Sequence, residues 1–122
     1  MTFEETQQAL DELITQLPPE IFAGLNCGVT LLEETLYDNH GLLILGQYHV
    51  QPFGLGRYIT IYYGSLMENY AHLNAPKFIK KLRGVLHHEL THHLEHQAGD
   101  RTLEIEDELE ICRFRQQKTH DS

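Results

Sequence analysis

Apolar residues recur on two different periods along this chain, and the changes of period mark its elements. Leu10, Leu13, Ile14 and Leu17 fall at helical spacing behind Thr2-x-x-Glu5, a capping-box pattern, and Pro18-Pro19 close the run. The pattern predicts an N-terminal helix, with a further short turn over 20–25. Val29 to Glu33 is short and β-like, and its Glu33-Glu34 pair is expected to be solvated. Tyr37-Asp38-Asn39-His40-Gly41 reads as a loop, Leu42 to Val50 as a second strand, and Gln51 to Gly56 as turn-rich. Arg57 to Tyr63, rich in β-branched and aromatic residues, is the clearest strand. Gly64-Ser65 opens a short helix to about Ala71.

The helical period then returns at length. Phe78, Ile79, Leu82, Val85, Leu86, Leu90 and Leu94 predict a helix from about Ala75 to Gln97, started by Asn74 and Pro76 and stopped by Gly99. A turn over 99–102 leads to a final acidic helix, Leu103 to Gln117. Helix, three strands, then helices is an α+β order. A small sheet packed on the long helix would set an edge strand beside it, and an extended peptide could bind by adding to that edge. Tyr58 to Tyr63 is the expected edge.

Length and charge narrow the class. A chain of 122 residues is read as one domain, residues 1–122, with a single modest core. The apolar fraction of 41% and charged fraction of 22% fit a globular protein. The formal charge of −9 argues against nucleic acid or anionic membrane as the main partner. Lys77, Lys80, Lys81 and Arg83 form a small basic group, expected to be a solvated helix face. The acidic N-terminus does not resemble a signal peptide, and no stretch is long enough to span a bilayer, so a cytoplasmic location is expected. Cys27 and Cys112 have no C-x-x-C spacing and are expected as buried free thiols.

Candidate chemistry sits on the long helix. His88-Glu89-x-x-His92 is an H-E-x-x-H pattern. On a helix, residues four apart share a face, so two imidazoles can share one tetrahedral Zn²⁺. Glu89 lies about 100° further round, too far to ligate with them but placed to act as a base on a water. With 9 histidines in the chain, such a pattern arises by chance with a probability of roughly 7%. Its position on a continuous amphipathic helix makes it more specific than that. His87 is expected exposed and His93 hydrogen-bonded on the apolar side, while His96 lies a turn beyond His92. His40, His49, His72 and His120 carry no spacing signal.

Leu45-Gly46-Gln47-Tyr48, Arg57-Tyr58-Ile59-Thr60-Ile61-Tyr62 and His88-Glu89-x-x-His92-His93 together resemble the minimal zincin-like metallopeptidase family of bacteria, over roughly residues 3–112. The resemblance implies a compact zincin-like α+β domain with His88 and His92 as zinc ligands and Glu89 as the base. The commoner pattern of that family has a Gly three residues after the second His and an Asp ligand three further on. Here Glu95 and Ala98 stand at those positions. The third ligand is therefore sought among four carboxylates. Asp107 comes first, because a helix folding back after Gly99 could present it, with Glu108, Glu106 and Glu95 as alternatives. Glu95 shares the face of His88 and His92, but it lies about 10 Å along the axis from His88.

The expected function is a zinc metallopeptidase acting on a peptide or protein substrate, with Glu89 as general base. Tyr48, Tyr58, Tyr62, Tyr63 or a spare histidine is expected to support the oxyanion. Two other readings remain open: a metal-binding protein without turnover, and a peptide-binding module on the same scaffold. Imidazole and carboxylate also suit Ni, Co, Mn and Fe. Oligomeric state is not encoded in any pattern here.

Overall fold

The computed structural model describes residues 1–51 and 56–101. Helix α1 spans Phe3–Thr15 and begins on the expected capping box: Thr2 Oγ1 accepts from Glu5 N–H, and the Glu5 carboxylate accepts from Thr2 N–H. Its buried face is Thr6, Ala9, Leu10 and Leu13. A single 3₁₀ turn, Pro19–Phe22, follows.

Strands β1 (Val29–Leu32), β4 (Gly46–Val50) and β5 (Arg57–Tyr62) form a sheet in the order β1-β5-β4, and β2 (Leu36–Tyr37) and β3 (Leu43–Ile44) form a separate hairpin. β1 runs parallel to β5, and β4 antiparallel to it with Gly46 opposite Ile61 and Tyr48 opposite Ile59. Helix α2 is Tyr63–Tyr70 and helix α3 is Ala75–Arg101. The coarse α+β architecture therefore matches the sequence.

Several finer expectations do not. The 37–41 loop is found over 38–41, but Tyr37 belongs to β2 and the loop is the turn of a β2–β3 hairpin that was not expected, tied by the Asp38 carboxylate accepting from His40 and Leu42 N–H. Two-residue strands are too short to show a period. The apolar run 42–50 is divided: 43–44 pairs back with β2, 46–50 pairs forward with β5, and Leu45 lies between. β5 lies in the middle of its sheet rather than at an edge, so the edge strand beside α3 is β4. Gly99 does not stop α3, which runs on to Arg101. One glycine weakens a helix by about 1 kcal/mol without having to end it.

The core lies between the sheet, α1 and α3. Phe78, Leu82, Leu86 and Leu90 project at four-residue intervals onto Leu10, Leu13, Ile59 and Ile61, all buried. Leu94, the last residue of the expected apolar stripe, is 44% exposed. The stripe ends there because polar His93 takes the inward position instead, fully buried. Asn74 Oδ1 accepts from Lys77 N–H and so caps α3 as expected. Cys27 is free but exposed, contrary to the buried thiol expected. The final acidic helix and Cys112 lie outside the described residues. Among the described residues, no helix is long and apolar enough to cross a membrane.

Candidate active site

Helix α3 brings His88, Glu89 and His92 together on the side that meets β4. The imidazoles of His88 and His92 lie edge to face, with Nε2 atoms 3.3 Å apart. Two ligand nitrogens on a tetrahedral zinc, each about 2.0–2.1 Å from the metal, are separated by about 3.3–3.4 Å. The pair is thus already at a ligand spacing. His92 is buried and His88 half-buried.

Glu89 is 2% exposed and sits against β4. Burial pushes its carboxyl up to about 7, opposed by the backbone N–H of Tyr48, which donates to it. Oε1 is buried with no hydrogen-bond partner among the described residues. A carboxylate with one oxygen anchored and the other unanswered, next to two paired imidazoles, has the form of a base awaiting a proton donor.

The strand can approach this closely because residue 46 is glycine. A Cβ at Gly46 would stand 2.8 Å from Val85 Cγ1 and 3.3 Å from Glu89 Cγ. The Gly-x-Tyr sequence therefore has a geometric cause: glycine admits α3, and two residues on the same face brings Tyr48 to His93. Tyr48 Oη lies 2.9 Å from His93 Nδ1, and His93 Nε2 lies 2.7 Å from Ala23 O. A carbonyl only accepts, so Nε2 carries the proton and the Tyr48 hydroxyl donates to Nδ1. Burial, the largest influence, lowers the His93 pKa, which suits this neutral form. Gln97 extends the network, donating to Ala23 O and accepting from Arg57. The expected hydrogen-bonded His93 and exposed His87 are both found.

Three of the four tyrosines expected as oxyanion donors have their hydroxyls engaged elsewhere. Tyr48 donates to His93, Tyr62 to Gln47 Oε1 and Tyr63 to the carbonyl of Met1. Tyr58 stacks on His49, its partner across the sheet, on the face opposite Tyr48. Asp107, Glu106 and Glu108 lie outside the described residues. Glu95 is on α3 with both carboxylate oxygens shielded from solvent. Among the described residues, no group of three or more His, Cys, Asp or Glu side chains gathers closely enough to hold a metal ion. His88 and His92 are brought together, and among the described residues no third such side chain joins them.

A cleft of about 660 Å³ opens directly onto His88 and Glu89. Leu43, Leu45, Tyr70, Leu73 and Val85 make its apolar walls, and Lys77, Lys80 and Lys81 also line it. The sequence did hold a signal for this. Lys77, Lys81 and Gly84 precede His88 by eleven, seven and four residues, the spacing of one helical face.

No family model matches this chain, and no curated protein matches it. Among solved structures it is similar to a conserved hypothetical protein from Thermo thermophilus. The two are 30% identical with a TM-score of 0.69, over 81% of this chain and 99% of that one. In architecture the chain is a small α+β protein with a three-stranded mixed sheet packed on a long helix. It belongs to the same family as that protein.

Proposed function

We propose that this protein is a zinc-dependent metallopeptidase on a zincin-like scaffold, with His88 and His92 as metal ligands and Glu89 as the general base. The observation that carries the reading is the 3.3 Å Nε2 pair beside a buried, half-satisfied carboxyl. Two neutral imidazoles at that spacing suit a borderline-soft divalent cation, and Asp107 remains the first candidate for the third ligand. When bound, zinc would supply the Lewis acidity that polarises a peptide carbonyl and makes a water acidic near neutral pH. Glu89, with a carboxyl of pKa about 7, would then take a proton from that water and return it to the leaving amine. The Tyr48 N–H, which donates to that carboxylate, would hold it in place while it does so.

Substrate would lie along β4, the edge strand that borders the site. An extended peptide can pair with such an edge through backbone hydrogen bonds.

Metal content by mass spectrometry, on protein purified without a metal-affinity tag, tests the first half of this reading. About one zinc per chain is expected, lost in His88→Ala/His92→Ala. The second half is tested by peptide-library cleavage, where Glu89→Gln is expected to keep the metal and lose at least about 10²-fold in rate. A wild-type protein that takes up no metal on titration would remove the peptidase reading. So would a Glu89→Gln variant that cleaves as fast as wild type.

A further inference from the structure

The cleft at His88 and Glu89 carries a charge opposite to that of the whole chain. The protein has a formal charge of −9 with 9 Lys and Arg in total, yet Lys77, Lys80 and Lys81 all line this one cleft. Among the described residues the only carboxylate lining it is Glu89. Among the described residues, too, none of the three lysines is ion-paired; Lys81 Nζ lies over the ring of Tyr70, 5.4 Å from its centroid. Screening limits the reach of the distant negative surface to about 8 Å at physiological ionic strength. A ligand inside the cleft therefore meets a positive local field.

We propose that the cleft selects acidic peptides: substrates in which Asp or Glu alternates with apolar residues on one side of the reacting bond. This rests on the peptidase reading and adds a substrate class to it. Lys81, Lys80 and Lys77 precede His88 by seven, eight and eleven residues, which places their Cα atoms about 10, 12 and 16 Å along the axis. An extended peptide advances about 3.3 Å per residue. Acidic side chains about three to five residues from the reacting bond meet the lysines. The apolar walls, Leu43, Leu45, Leu73 and Val85, take the intervening side chains. The space over Gly84, which also lines the cleft, is open: a Cβ there would meet nothing within 4 Å.

The test separates binding from turnover. Fluorescence anisotropy would be recorded with a short labelled peptide alternating Leu and Glu, and with the same peptide carrying Gln or Lys in place of Glu. Chelator would be present, so that neither metal nor hydrolysis is required. The Leu/Glu peptide is expected to bind about ten-fold more tightly than the other two, with a preference that shrinks as salt is raised. Lys77→Ala/Lys80→Ala/Lys81→Ala should abolish the preference. Arg83→Ala, an exposed cation on the same helix that does not line the cleft, should keep it. Equal affinity for all three peptides, no binding at all, or an Arg83→Ala effect as large as the triple variant's would overturn the proposal. Charge-selective binding without any cleavage by the zinc-loaded protein would uphold the cleft assignment and remove the peptidase reading. Cleavage indifferent to charge would do the reverse.

Discussion

Glu89 is charged at a cost, because its carboxylate is taken out of water with one oxygen unanswered. Its pKa of about 7 in the folded chain, against an ordinary 4.5, turns that cost into a pH dependence. A carboxyl whose folded pKa is raised binds its proton more tightly when folded. In metal-free protein its contribution is therefore fully present below about pH 4.5 and is lost as pH rises through 7. The loss is of order 3 kcal/mol at most. Denaturant titration of metal-free protein should find Glu89→Gln more stable than wild type at pH 8, with the gap closing toward pH 4.5. A gap independent of pH would mean that the carboxyl is not buried as described. A buried carboxyl that lowers stability fits the base proposed for this position, since sites commonly trade stability against function.

Between β4 and α3 the decisive feature is a missing side chain. Gly46 allows the strand to lie on Val85 and Glu89, and the same contact brings the Tyr48 N–H to the Glu89 carboxylate. Gly46→Ala would drive a methyl group to 2.8 Å from Val85 Cγ1, so strand and helix must part. Overpacking of that kind costs about 1–3 kcal/mol. The expected result is a lower denaturation midpoint and a hydrolytic rate reduced by more than the loss of folded protein explains. An alanine variant as stable and active as wild type would show that the close approach is dispensable. The helix itself could be read from the sequence, because Phe78, Leu82, Leu86 and Leu90 repeat locally. The hairpin 36–44 could not, because its strands have two residues each and its order comes from Asp38 and from Ser65, which bonds Leu36.

For the molecule as a whole, a metal that binds only the folded chain adds to its stability by mass action. Chelation should lower the Tm of wild type and leave His88→Ala/His92→Ala unchanged. At a free metal concentration about 100-fold over Kd the coupling is about 2.7 kcal/mol, and a drop of several degrees is expected for a chain of this size. A Tm indifferent to chelator would place any bound metal outside the folded core.

The candidate ligand pair and its base were fixed by sequence alone, because a helix places residues four apart on one face whatever surrounds it. The caps of α1 and α3 were legible for a similar reason, because a capping side chain bonds a backbone N–H only three residues away. Which strand is central and which borders the site was decided only by tertiary structure. Strand order depends on pairing between segments far apart in the chain, and β5 carries no local mark distinguishing a middle strand from an edge. The role of Gly46, the engagement of His93 with Tyr48 and Ala23, and the joining of three lysines to an apolar cleft arise in the same way. Each is a contact between elements, and the period of one element cannot contain it.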